Sequence, residues 1–230
     1  MERSTEDVAG EPSLATVAFS LVVAQAAAIV VMVTWFDPTE LPSIVTLPVP
    51  LLSGVAALLI GWDATTFKES GNWWRPRPWA WAFAVLLPGL NLGFGLGYLL
   101  RRSEVRERTS PSGRWLFVLA PAVVVSAAAF IFVSTFDESG TIWESILLVS
   151  LFFGSGALAL SIVAAYYDVR FVTTVLETAG SGWRLRGYHW VPLVTIVLPA
   201  NALILGVYYL RRRRVLDEVE TSPERIHRER

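Results

Sequence analysis

The 230-residue sequence contains no cysteine, which excludes disulfides, iron–sulfur clusters and thiolate metal sites. Histidine occurs twice, as His189 and His227, too far apart in the chain to suggest an imidazole metal site. Lysine is almost missing: arginine supplies every basic residue except Lys68. Most informative is where charge is lacking. Residues 12–36, 41–62, 78–100, 115–136, 145–167 and 187–210 contain no Asp, Glu, Lys or Arg. Each is long enough to cross a hydrocarbon core as a helix. Helices of a soluble domain would carry charge every turn or two on their outer faces. These absences therefore exclude a soluble domain and predict an all-α integral membrane protein with six hydrophobic membrane segments.

What is present gives that frame its order. The first thirteen residues are polar and mainly acidic, without the positive n-region of a signal peptide, so the first apolar block is expected to remain as a helix. Its one notable polar residue, Gln25, reads as an interhelical hydrogen-bonding group. Phe36-Asp37-Pro38 ends it, because proline disfavours helical backbone in the preceding residue. The second helix is expected to begin near Pro48 or Pro50.

The stretch around which the chain is organised is residues 75–102, RPRPWAWAFAVLLPGLNLGFGLGYLLRR. Residues 184–212, RLRGYHWVPLVTIVLPANALILGVYYLRR, repeat its plan. Both have paired arginines at each end, aromatics near the start, Pro and Asn in the middle and Tyr near the finish. Other pairs extend the match: Phe36-Asp37 with Phe136-Asp137, Ser53-Gly54 with Ser155-Gly156, Trp62-Asp63 with Tyr167-Asp168, and Asn91 with Asn201. A period of about one hundred residues reads as internal duplication of a three-segment module. The expected organisation is an acidic tail (1–13), membrane repeat 1 (14–102), a basic linker (103–114), membrane repeat 2 (115–212) and a charged tail (213–230).

The third segment of each repeat has two readings. It is either a Pro-kinked span or a re-entrant hairpin turning at Pro88 and Pro199. With six spans and a cytoplasmic N-terminus, 11 basic residues lie inside and 8 outside, as counted along the chain. With two hairpins, all 19 are cytoplasmic and the outer loops carry only Asp37, Glu40, Asp137, Glu138 and Glu144. The second arrangement obeys the positive-inside rule throughout, although a mid-membrane turn must be shielded by protein. Both place the two termini in the cytoplasm.

Candidate functional residues are few. Asn91 and Asn201, beside Pro88 and Pro199, are duplicated polar groups inside apolar blocks. They are distantly similar to the paired Asn-Pro-Ala turns of aquaporins, but here Pro precedes Asn and the triplet is absent. Gly89, Gly93 and Gly97, at i, i+4 and i+8, predict a helix face for close packing. Trp79, Trp81 and Trp190 with Arg101, Arg102, Arg211 and Arg212 read as anchors at the membrane–water boundary. Gly154-Ser155-Gly156 with His189 is a faint nucleophile–base pattern; its repeat partner Ser53-Gly54 has no histidine, which favours packing.

The segments YYDVRFV, WRLRGYHW and LPANALILGVYYLRRRR resemble small haloarchaeal multi-pass membrane proteins without an assigned activity. The likeness rests on Asp168, Arg170, Trp183, Pro199, Asn201, Tyr209 and the closing arginines, and it implies a location in the cell membrane. The expectation is a structural or lipid-interacting membrane protein, not an enzyme, with no cofactor. Its partners would be membrane lipids and, in addition, further copies of itself or other membrane proteins; no nucleic acid is expected. The alternative is a passive path for a small neutral solute through the duplicated Pro/Asn elements.

Overall fold

A computed structural model describes residues 14–35, 48–69, 74, 76–106, 113–135, 141–178 and 189–221. The described residues are helical, without strands. The helices are α1 (Leu14–Trp35), α2 (Pro48–Glu69), α3 (Pro78–Leu86), α4 (Leu90–Arg106), α5 (Trp115–Thr135), α6 (Thr141–Thr178), α7 (Trp190–Ile196) and α8 (Asn201–Thr221). Four of them, α1, α2, α5 and α6, are long and apolar enough to cross a membrane. The expected six single segments are thus four long helices and two divided ones.

The division has a local cause. Leu87, before Pro88, is extended (φ −80°, ψ 112°), as the proline ring requires of its predecessor. Gly89 then adopts φ +86°, a left-handed backbone that glycine enters without a Cβ penalty. The Asn91 amide closes the turn on the Leu87 carbonyl at 2.9 Å, and α4 begins. The second break is built differently: α7 is capped at Val197 (φ −80°, ψ 68°), the Leu198–Pro199 peptide bond is cis, and α8 begins at Asn201.

Each divided segment is a hairpin. Trp81 on α3 and Tyr98 on α4 have ring centroids 5.2 Å apart; Trp190 and Tyr208 are 5.5 Å apart. In a continuous helix those positions would be separated by about 25 Å. The two arms therefore fold back on each other.

The core has two main parts. One joins α1, α2 and the α3–α4 hairpin through Val22, Ile60, Val85 and Tyr98; the other joins α5, α6 and the α7–α8 hairpin through Leu119, Val123, Val194 and Tyr208. Helix α4 connects them by packing along α6. At 38 residues, α6 extends about 57 Å, well beyond a 30 Å hydrocarbon layer. Its last turns pair with the end of α8 through Val172, Leu176 and Val215. The sequence boundaries at 103 and 213 therefore fall inside helices, because α4 continues to Arg106 and α8 to Thr221.

Candidate functional site: two carboxylate clamps and a buried amide cluster

The most distinctive polar feature is an arrangement that occurs twice. On α2, Asp63 Oδ2 accepts a hydrogen bond from the Tyr98 hydroxyl at 2.7 Å and from Arg102 Nε at 2.8 Å. On α6, Asp168 Oδ2 accepts from the Tyr208 hydroxyl at 2.6 Å and from Arg212 Nε at 3.0 Å. Both carboxylates are buried, Asp168 completely. Tyr and Arg stand four residues apart on α4 and again on α8, so each pair projects from one helix face. The guanidinium groups also lie over aromatic rings, Arg102 over Phe67 at 5.5 Å and Arg212 over Phe171 at 5.7 Å. Each clamp ties the returning arm of a hairpin to the long helix before it. A neutralised, doubly hydrogen-bonded carboxylate is how a buried charge becomes tolerable.

Of the arginines read as anchors, Arg102 and Arg212 turn inward to the carboxylates, with side chains 19% and 12% exposed. Arg101 is also internal at 1% exposure: it ion-pairs with Glu104 and lies 4.4 Å over the Tyr167 ring. Trp115 Nε1 donates to the same Glu104 carboxylate at 3.1 Å, which joins α4, α5 and α6. Trp81 and Trp190 pack on Tyr98 and Tyr208, whereas Trp79 and Arg211 remain exposed. Paired arginines at block ends look alike in sequence whether they face headgroups or a buried carboxylate; only the packing separates the two.

The second polar centre lies at the hairpin turn. Asn91 Nδ2 donates to Gln25 Oε1 at 2.8 Å and approaches Ser53 Oγ at 3.3 Å; Ser53 donates to Gln25 Oε1 at 3.1 Å. All three are essentially inaccessible. Asn91 thus bonds to α1 and α2 through its side chain and does not serve backbone freed by Pro88. The counterpart is thinner: Asn201 Nδ2 reaches Ser126 Oγ at 3.5 Å. Gln25 Nε2, Asn91 Oδ1 and Asn201 Oδ1 have no hydrogen-bond partner among the described residues.

The glycine face is partly relocated. Gly89 lies in the turn, against Ser155, and is not part of the helix. Gly93 and Gly97 are on α4 and face α6: a Cβ at Gly93 would stand 2.6 Å from the Leu160 amide nitrogen, and one at Gly97 3.2 Å from Val163 Cβ. Gly95, on another side of α4, is also buried and faces Phe19 on α1. The Ser155 hydroxyl donates to the Phe152 carbonyl at 2.8 Å, while His189 is exposed at the start of α7.

Between α4, α5 and α6 runs a groove of about 500 Å³, lined by Leu92, Leu96, Leu100, Phe117, Val125 and Phe153 among other apolar residues. Phe117 is 81% exposed at its rim, so the groove opens on the outer wall. Among the described residues no three His, Asp or Glu side chains come together as metal ligands. Comparisons with protein families, characterised proteins and solved structures give no match to this chain.

Proposed function

We propose that this chain is a multi-pass integral membrane protein with a structural or lipid-interacting role and no catalysis. It is built from two related modules, each of two spans and one re-entrant hairpin. The observation that carries the functional reading is the groove between α4, α5 and α6. Its lining is apolar, it opens at the outer wall, and two of its three helices, α5 and α6, are long and apolar enough to cross a membrane. A lipid acyl chain matches that chemistry. The test is to purify the protein from its native membrane and quantify retained lipid by mass spectrometry. Ala157→Phe, which fills the groove, is expected to lose most of the retained lipid with little change in thermal stability. Retention equal to the parent protein would refute the reading.

The duplicated clamps and paired hairpins support the two-module reading. In that topology every basic end lies on the cytoplasmic side of the cell membrane, as do both termini, in agreement with the positive-inside rule. The chain has no background thiol, so Ser103→Cys, Thr178→Cys and Asp217→Cys can each be probed with an impermeant thiol reagent on intact cells. All three are expected to be protected. Labelling at Ser103 and Thr178 with protection at Asp217 would instead establish six spans and inverted modules.

A second reading, a passive path for a small neutral solute, has one observation in its favour. Asn91 and Asn201 present buried oxygens without partners beside the hairpin turns. Water-accessible thiol labelling of Asn91→Cys and Asn201→Cys distinguishes it: both labelled supports a path, both dry excludes one through the hairpins.

A further inference from the structure

Helix α4 is seated on α6 by six buried residues. Gly93 lies against Ala159, where a Cβ would stand 2.9 Å from the alanine Cβ; Gly97 lies against Val163; Arg101 covers the Tyr167 ring. The carboxylate clamps fix which residues correspond between the two halves. Asp63 corresponds to Asp168, Tyr98 to Tyr208 and Arg102 to Arg212. Counting along the uninterrupted helices from those points, Gly93, Gly97 and Arg101 on α4 correspond to Leu203, Val207 and Arg211 on α8. Likewise Ala159, Val163 and Tyr167 on α6 correspond to Gly54, Leu58 and Trp62 on α2. The clamp register differs by three residues from the Ser53-Gly54 and Ser155-Gly156 match seen in the sequence.

Five of the counterparts are uncovered within the chain, and the sixth, Arg211, lies 5.7 Å over the Trp190 ring at the surface. Leu203 is 78% exposed, Val207 57%, Leu58 75% and Trp62 69%; Arg211 is exposed, and a Cβ at Gly54 would meet nothing within 4 Å. Apolar exposure by itself is ordinary on a wall facing lipid. What singles out these positions is that all six of their equivalents are buried in one interface. We propose that a second copy of this chain covers them, laying its α8 along α2 as α4 lies along α6.

The residue chemistry fits that occupant. Arg211 of one copy, which lies over Trp190 of its own chain, would also meet Trp62 of the other, as Arg101 meets Tyr167, and an indole is a better cation–π acceptor than a phenol. Bulk is exchanged across the contact: where Gly93 accommodates α6, Leu203 brings its side chain to Gly54. The contact joins two different surfaces of the chain: made reciprocally it closes as a two-fold dimer of four modules, and made head to tail it forms a larger ring or extends.

The absence of cysteine makes the test direct. Leu58→Cys and Val207→Cys chains, co-expressed in one membrane and oxidised, are expected to form a disulfide-linked dimer in several-fold higher yield than either variant alone. Leu58→Cys paired with Phe117→Cys, also outward-facing, should give only the background yield. A dimer from Leu58→Cys alone at the same yield would overturn the proposal in favour of a symmetric contact. Absence of the mixed dimer would overturn it outright. The inference rests on the α4–α6 contact as template, so Gly97→Cys with Val163→Cys in a single chain is measured alongside. A disulfide within that chain supports the template; its failure overturns the template and the proposal together, distinguishably from failure of the intermolecular pair alone.

Discussion

Asp168→Asn is the sharpest test of the clamp. The carboxylate is fully buried and accepts both the Tyr208 hydroxyl and Arg212 Nε, while the Arg212 side chain is 12% exposed. The amide keeps the shape and loses the charge. Arg212 is then left as a poorly hydrated cation without a counterion, a change that costs about 3–5 kcal/mol when one partner of a buried pair is removed. For a chain of this size each kcal/mol moves the melting temperature by about 2–4 °C, so the expected fall is ~6–20 °C in detergent or lipid. Arg213→Ala is the control, because its pair with Asp217 is 3.8 Å long and 69%/63% exposed. Exposed pairs are worth about 0–1 kcal/mol, and only a few degrees at most should be lost. Removing both charges with Asp168→Asn/Arg212→Gln should recover part of the loss, since the two sites are in contact and their effects do not add. If Asp168→Asn shifts unfolding no further than Arg213→Ala, or the double variant loses the sum of the single changes, the clamp is not energetically coupled and the reasoning fails.

The remaining predictions concern packing and the buried polar groups. Gly93→Ala should destabilise strongly, because even a methyl group meets the α6 backbone, whereas Gly54→Ala should be neutral or stabilise by up to about 1 kcal/mol through helix propensity; thermal unfolding of the two compares them directly. Gln25→Leu should cost about 1–3 kcal/mol by leaving the Asn91 amide without its acceptor, and more than Ser126→Ala, whose bond to Asn201 is 3.5 Å long; equal losses in the same unfolding measurement would contradict the difference between the two sites. Glu104→Gln should loosen the α4–α5–α6 junction through Arg101 and Trp115, seen as faster proteolysis after residue 106 than in the parent protein.

Sequence alone determined the elements whose cause is local. Uncharged runs longer than 18 residues partition into apolar surroundings wherever they fold, so the four long helices were legible, including the start of α2 at Pro48. The breaks at Pro88 and Pro199 were equally legible, since proline acts on its own neighbour. Gln25 was readable as an interhelical group because an uncompensated amide in an apolar helix must find a partner. Tertiary structure decided the rest. Proline permits a kink or a reversal, and only the meeting of Trp81 with Tyr98 and of Trp190 with Tyr208 selected the hairpin. Asp63 and Asp168 stood at the ends of apolar blocks, where a solvated carboxylate is the ordinary expectation; their burial depends on Tyr and Arg partners 35 to 44 residues away. Arg101 and Arg102 are adjacent and identical in sequence, yet one lies over a ring of α6 and the other grips a carboxylate of α2. A side chain's hydrophobicity and its nearest neighbours fix where it can reside, but its partner is set by which helix packs against it.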